Sequence, residues 1–149
     1  MTPLELMQAI ADGAVPPPPI GRTLGMRLTE VEPGRAVFEL EVDPERHGNP
    51  MGTLHGGVLC DLADAAMGCA YYATLAEGEA FTTLDLNISF RRPVWSGLLT
   101  ATARVVDGGR TVGLADCEIR DASDRLIAYS TSTCMTLRGE AAKGRVAPS

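Results

Sequence analysis

Residues 55–75 read HGGVLCDLADAAMGCAYYATL and contain the strongest helical signal of the chain. Apolar residues recur there at i, i+3, i+4, i+7, i+8 and i+11, which places them in one stripe along an α-helix. Two glycines stand at the predicted start, and Glu77 and Gly78 follow the predicted end. At 1.5 Å per residue the helix is about 30 Å long, and it is apolar enough to be wrapped by a sheet. The stripe consists of Leu59, Leu62, Ala63, Ala66, Met67 and Ala70.

Alternation of apolar and polar residues predicts strands on both sides of this helix. Phe38, Leu40 and Val42, for example, alternate with glutamates, as in a strand that is buried on one face. One antiparallel sheet can bury a single long helix only by curling around it. The pattern therefore predicts an α+β roll with about six strands. These cover 22–31, 35–42, 83–91, 97–106, 111–120 and 125–137, with turns at Pro33–Gly34 and Asp107–Gly108.

The chain divides into three predicted parts. Residues 1–19 contain a short helix at 3–12 and a stiff proline spacer at 16–19. Residues 20–138 form one domain, and the polar residues 139–149 form a flexible tail.

Length and charge exclude several classes of partner. The 149 residues suit one domain with a real core, and the formal net charge of −6 disfavours binding to nucleic acid or to anionic lipid. No apolar run approaches the ~20 residues that a membrane span requires. The first residues lack the basic region of a signal peptide, so we predict a cytoplasmic protein that binds neither nucleic acid nor membrane.

Common catalytic motifs are absent from the sequence. There is no G-x-S-x-G, no H-E-x-x-H and no phosphate-binding glycine motif, and only two histidines are present. The four cysteines form no C-x-x-C pair, and we interpret them as reduced, mostly buried thiols rather than as nucleophiles or metal ligands. We therefore predict no metal or redox cofactor.

The segment that opens the central helix carries the clearest chemical signal. Gly56 and Gly57 would let a ligand approach the backbone closely, and free N–H groups at a helix start favour negative charge. These are the requirements of an oxyanion hole. Two acids follow: Asp61 lies nearly opposite the apolar stripe and should be fully solvated, whereas Asp64 lies nearer its edge and should be partly desolvated. Periodicity alone would make each of them a plain surface charge.

Several segments together resemble the hotdog-fold thioesterases, and most of all their PaaI-type group of acyl-CoA and phenylacetyl-CoA thioesterases. The resemblance rests on H-G-G at the helix start with an acid eight residues after its first glycine, on the upstream Asn49, on Thr82–Phe90 and on Arg92–Pro93. It covers most of residues 20–138. It implies a hotdog fold, here with an extra N-terminal helix.

The resemblance also implies roles for individual residues. Asp64 would be the catalytic carboxylate, as nucleophile or as general base on water. The Gly56 N–H, alone or with that of Gly57, would polarise the thioester carbonyl. Asn49 would hold the water or the thioester, and the Thr83 hydroxyl would assist. The family further implies a homodimer with the site at its interface, and pairing of dimers into a homotetramer.

Each implied role has a structural alternative. Asn49 precedes a proline and would also suit a turn. His55, which adjoins the glycines and is a candidate for the site, would also suit a helix start with no chemical role, and we favour that interpretation. Thr83 would also suit any strand. Arg91 and Arg92 could bind the phosphates of coenzyme A or form ion pairs on the acidic surface.

The predicted function is hydrolysis of a small aromatic or a short- to medium-chain acyl-CoA, with coenzyme A as part of the substrate. One alternative is a non-catalytic acyl-CoA-binding hotdog protein, which would not need Asp64. Another is a hotdog enoyl-CoA hydratase, which would need an acid–base pair that includes a histidine; only His55 lies near the acid in the sequence.

Overall fold

The predicted central helix is α4, Gly56–Tyr72, in a computed structural model that describes residues 1–145. All six residues of its apolar stripe are buried, five of them completely. His55 precedes the helix as its N-cap, and the helix ends at Tyr72, three residues before the predicted end.

Six strands form one antiparallel sheet around this helix. The order in the sheet is β1-β2-β4-β5-β6-β3, so β1 and β3 are its edges. The face toward α4 is closed by side chains such as Leu40, Leu99 and Ile119, each at most 1% exposed. The predicted α+β hotdog arrangement is confirmed. The strands are β1 (Arg27–Glu32), β2 (Arg35–Val42), β3 (Ala80–Phe90), β4 (Gly97–Gly108), β5 (Val112–Arg120) and β6 (Leu126–Leu137).

The N-terminal helix α1, Pro3–Ala11, packs on the sheet and on α4. Thr2 and Glu5 form a reciprocal capping box at its start, and Met7 is buried in the same core cluster as the stripe of α4. Residues 1–11 therefore add to the core of the roll.

The structure differs from the prediction in four short segments. Residues 22–24 belong to a helix, α2 (Pro19–Leu24), because Pro19 takes the first helical position and Gly25 ends the helix with a φ of +80°. A one-turn helix, α3 (Pro44–His47), lies in the predicted loop. The β4–β5 turn falls at 109–111, because β4 continues to Gly108. A 3₁₀ turn, Gly139–Ala142, lies in the predicted tail, and 146–149 are outside the described residues.

His47 joins α2 and α3 to the start of α4. It is 2% exposed, its Nδ1 accepts the Asp43 N–H at 3.0 Å, and its Nε2 lies 2.8 Å from the Leu24 carbonyl oxygen. These two bonds define a neutral imidazole with its proton on Nε2. The His47 carbonyl accepts the backbone N–H of His55 at 2.9 Å. One buried residue thus fixes the end of α2 relative to the first turn of α4.

Strand β3 leaves one long edge of the sheet uncovered. Only β6 pairs with it among residues 1–145, and Leu84 and Phe90 are 52% and 53% exposed. An uncovered strand with exposed apolar side chains is suited to pairing with another strand.

No helix within residues 1–145 is both long and apolar enough to cross a bilayer.

Candidate active site

Asp64 on α4 and Thr83 on β3 meet where the helix crosses the edge strand. The Thr83 hydroxyl donates to Asp64 Oδ1 at 2.9 Å, so one carboxylate oxygen is held in place. Asp64 is nevertheless exposed in the single chain. The partial desolvation expected from its place on the helical wheel is therefore not found within one chain, in which β3 is an edge strand and no further strand of residues 1–145 pairs beside it.

Asp64 and Thr83 also line the mouth of a cavity of about 280 Å³. Its wall is mainly hydrocarbon, with Leu28 and Phe38 from β1 and β2, Ala65 from α4 and Phe81 from β3. Gly68 also lines the cavity, and a Cβ at this position would be 3.0 Å from the Phe81 ring. A helix-interior glycine costs about 1 kcal/mol relative to alanine, and here its absent side chain lets Phe81 lie directly on α4. Asp61 is also exposed but does not line this cavity.

The other candidate residues lie at the opposite end of α4. Nδ1 of His55 accepts the Gly57 N–H at 2.8 Å, which is the side-chain cap of the helix. That bond requires an unprotonated Nδ1. The Gly56 N–H has no acceptor within residues 1–145. Of the two glycine donors predicted for an oxyanion hole, the structure leaves Gly56 available and uses Gly57 for the cap.

Because Gly56 and Gly57 have no Cβ, an aromatic ring can lie close to the backbone of each. A Cβ on Gly56 would be 2.9 Å from the Phe90 ring, and a Cβ on Gly57 would be 2.9 Å from His55 Nδ1. The H-G-G sequence therefore allows the imidazole to reach the second glycine and Phe90 to flank the first.

Asn49 shapes the loop that leads to this helix. Its Oδ1 accepts the N–H groups of Met51 and Thr53 at 2.9 and 3.1 Å, and its amide donates to the Thr53 hydroxyl at 2.7 Å. These bonds make a local turn, and its side chain points into the loop rather than toward Asp64 within the same chain.

Arg91 and Arg92 lie beside the start of α4. They line an open groove together with Gly56 and Phe90. Arg91 donates to the Ser89 hydroxyl at 3.2 Å and Arg92 to the Leu126 carbonyl at 2.8 Å, and both are exposed. Neither forms an ion pair with a carboxylate in the part of the chain that is described.

The four cysteines are free thiols. Burial, followed by the charge of a nearby aspartate, raises the pKa of both Cys69 and Cys117 to about 12. These two groups are neutral thiols at physiological pH, which agrees with the interpretation of the cysteines as structural.

The candidate residues thus form two groups that lie far apart in one chain. Asp64 follows Gly56 by eight residues, which is about 12 Å along a helix. A thioester carbonyl is far smaller than this distance, so Asp64 and the Gly56 N–H of one chain are too far apart to contact the same carbonyl.

The cavity and the roles of His47 and Phe90 were not predicted from the sequence. The cavity is assembled from segments far apart in the chain, which periodicity does not connect. One feature of the sequence could have identified Phe90 as a candidate site residue: it is an apolar residue at the end of an alternating strand and precedes two arginines.

Known proteins share this fold and this segment. A family model described as the thioesterase superfamily matches residues 51–128. The 1,4-dihydroxy-2-naphthoyl-CoA hydrolase of Listeria monocytogenes is 32% identical over 74% of this chain and 89% of its own. Human acyl-coenzyme A thioesterase 13 is 32% identical over 75% of this chain and 81% of its own. The Escherichia coli PaaI protein from the phenylacetic acid degradation operon superimposes with a TM-score of 0.80 at 27% identity, covering 93% of this chain and 98% of that one.

The fold and the matching relatives define a thioester hydrolase of the hotdog type. The chain belongs to the thioesterase superfamily, and its PaaI-like character is confirmed.

Proposed function

We propose that this protein hydrolyses acyl-CoA thioesters and that Asp64 is its catalytic carboxylate. The observation that carries the proposal is the contact of Asp64 with the Thr83 hydroxyl at the mouth of an apolar cavity. The names of the similar proteins, which specify acyl-CoA and naphthoyl-CoA substrates, support acyl-CoA as the substrate class.

The reaction is R-CO-S-CoA plus water, giving R-COOH and CoA-SH. Asp64 either removes a proton from the attacking water or attacks the carbonyl itself, forming an anhydride that water then cleaves. In both routes the carbonyl oxygen becomes negative. The Gly56 N–H stabilises this oxygen, and the Gly57 N–H keeps the first turn in place through His55. The reaction needs no metal or redox cofactor.

The two halves of the site come from different chains in this proposal. Within one chain they are about 12 Å apart along α4. On β3, Thr83 contacts Asp64 and Phe90 lies next to Gly56. The midpoint of the strand between Thr83 and Phe90 lies at Leu86–Asn87. Antiparallel pairing of two β3 edges about a two-fold axis near that midpoint would bring the Asp64 end of each chain to the Gly56 end of the other.

The exposed β3 edge supports this pairing, because it would join two sheets into one and cover Leu84 and Phe90. The resulting homodimer would also desolvate Asp64, as the sequence led us to expect. Pairing of two such dimers would give the homotetramer that the resemblance implies.

Coenzyme A would lie along the groove beside Gly56. Arg91 and Arg92 are exposed there with guanidinium groups available for phosphates on an otherwise acidic protein. With the carbonyl at Gly56 of one chain, the acyl group extends into the cavity beside Asp64 of the other.

The first test is coenzyme A release from a panel of acyl-CoAs, comparing wild type with Asp64→Asn. We expect a fall of roughly 100-fold or more in kcat, because the variant keeps the shape and loses the base or nucleophile. Asp61→Asn is the matched control, since it removes a charge from the same helix outside the cavity, and it should retain wild-type kcat. Binding of substrate without turnover in the wild type, unchanged in Asp64→Asn, would favour the non-catalytic alternative. Hydration of crotonyl-CoA would favour the hydratase.

The second test is subunit complementation. Asp64→Asn and Gly56→Pro are each expected to be nearly inactive, because each removes one half of both sites. Random reassociation of equal amounts should restore about a quarter of wild-type activity, since half of the dimers then contain one intact site of two. Activity that stays at the mean of the two parents would place both groups in one chain and contradict the interface site.

A further inference from the structure

The cavity beside Asp64 is closed on one side by the N-terminal part of the chain. These residues come from α1, from the proline spacer and from α2, and they lie outside the segment that matches the family, 51–128. They are Met7, Ile10, Pro17, Pro18, Ile20 and Gly21.

This wall is fixed at both ends. Met7 is buried and lies 3.5 Å from the Cys69 thiol on α4, sulfur to sulfur. At the other end, His47 binds the Leu24 carbonyl, and Arg46 donates to the carbonyls of Arg22 and Thr23. Two prolines further limit the motion of the backbone between α1 and α2. The wall therefore sets a defined cavity depth.

The wall presents hydrocarbon rather than polar groups. Its six residues have no polar side-chain atom except the thioether of Met7, and across the cavity Leu28 and Phe38 are also apolar. Elsewhere the cavity is lined by four side chains with polar or thiol groups, Asp64, Cys69, Tyr72 and Thr83, of which Thr83 donates to Asp64 Oδ1. An apolar cavity of about 150 Å³ binds benzene without water, so about 280 Å³ accommodates roughly a ring with a linker or a medium alkyl chain.

We propose that the wall formed by residues 7–21 selects an acyl group without hydroxyls, a medium straight chain or an unsubstituted phenylalkanoyl group, and limits its length. The inference rests on the proposed function for the position of the carbonyl at Asp64. A hydroxyl buried against these six residues would lose its water partners, and their side chains offer it no hydrogen-bonding group except the weakly accepting thioether of Met7. We expect this to lower kcat/KM roughly ten- to a hundredfold.

The first experiment compares matched substrates on the wild-type protein. Phenylacetyl-CoA should exceed 4-hydroxyphenylacetyl-CoA in kcat/KM by at least about tenfold. Along a series of straight-chain acyl-CoAs, kcat/KM should rise by up to about fourfold per methylene until the cavity is full, and then fall. Equal kcat/KM values for phenylacetyl-CoA and 4-hydroxyphenylacetyl-CoA would overturn the inference. A kcat/KM that shows no upper limit of chain length would also overturn it.

The second experiment changes the wall. Ile10→Phe adds volume on the cavity side of α1 and should move the upper limit to a shorter chain. Gln8→Phe is the control, because Gln8 is exposed on the same helix and does not line the cavity. Thermal unfolding of both variants reports whether each is folded. A folded Ile10→Phe with an unchanged length profile would overturn the role of the wall.

Binding of non-hydrolysable S-alkyl-CoA thioethers, measured by calorimetry, separates this inference from the proposed function. A chain-length limit in binding that is shortened in Ile10→Phe supports the wall even if no thioester is hydrolysed. Hydrolysis that depends on Asp64, together with thioether binding that is insensitive to chain length, would keep the proposed function and reject the wall.

Discussion

At the scale of single residues, Gly56 combines a free donor with close packing against the Phe90 ring. Its N–H has no acceptor within residues 1–145, and it lacks the Cβ that would meet the Phe90 ring at 2.9 Å. It is also the first residue of α4, the position at which proline is best tolerated in a helix. His55 before it is extended, with a ψ of 133°, which suits a residue that precedes proline. The donor can therefore be removed by proline with little change to the helix backbone, and the Phe90 ring must shift as it would for any residue with a Cβ at this position.

We predict that Gly56→Pro lowers kcat by about 100- to 1000-fold, the usual effect of losing one oxyanion donor. Gly56→Ala is the matched control, because it adds the same Cβ against Phe90 and keeps the N–H. The comparison is made by steady-state kinetics on one acyl-CoA. Equal losses in both variants would assign the effect to the Cβ and contradict the role of the donor.

At the scale of elements, the start of α4 depends on the His55 cap. Its imidazole accepts the Gly57 N–H at 2.8 Å, and no other side chain among residues 1–145 caps this helix. A side-chain cap typically contributes about 1 kcal/mol.

We predict that His55→Ala lowers the free energy of unfolding by about 1 kcal/mol, whereas His55→Asn retains most of it because asparagine is a good N-cap. Urea unfolding measures both. If capping is the whole role of His55, then His55→Asn should also keep a kcat near that of wild type. A folded and stable His55→Asn with a large loss of kcat would instead give the imidazole a chemical role.

Helices and strands whose apolar residues repeat regularly could be predicted from the sequence. Short elements that depend on tertiary contacts could not. The stripe from Leu59 to Ala70 predicts α4 because six apolar residues repeat at helical spacing. Helix α2 has only six residues, and its end is held by Arg46 and His47 from more than 20 positions away. Its proline start looked like a spacer because prolines suit both structures.

The candidate site, like the fold, could be predicted from the sequence only in part. The position of Asp64 on its helix follows from spacing, and an assisting role for the Thr83 hydroxyl follows from the resemblance, which did not specify the contact between them. The exposure of Asp64 in one chain does not, since it depends on which strand lies at the sheet edge. The hydrogen bond from the Gly57 N–H to the His55 imidazole depends on a side-chain rotamer that no sequence pattern specifies.

At the scale of the whole molecule, buried thiols connect stability to pH. Burial raises the pKa of Cys69 and Cys117 to about 12, whereas an unfolded thiol titrates near 8.5. Above about pH 9 the unfolded chain loses these protons and the folded chain keeps them, so the stability present at lower pH is lost as pH rises.

We predict that this loss approaches ~1.4 kcal/mol per pH unit for each fully buried thiol between about pH 9 and pH 12. Urea unfolding of wild type and Cys117→Ala at pH 8, 9 and 10 measures the slope. The variant should start less stable and lose stability less steeply. Parallel slopes would show that Cys117 ionises equally in both states.

The position of His47 has a consequence for how two sites in a dimer would influence each other. Its side chain holds the end of α2, the helix that contributes Ile20 and Gly21 to the cavity wall beside Asp64 of its own chain, and its carbonyl holds His55, the residue before Gly56. In the proposed dimer that glycine serves the neighbouring site. A wall displaced by an overlong acyl group at one site would then disturb the carbonyl donor at the other. Communication between the sites would pass through His47, by its imidazole on one side and its backbone carbonyl on the other.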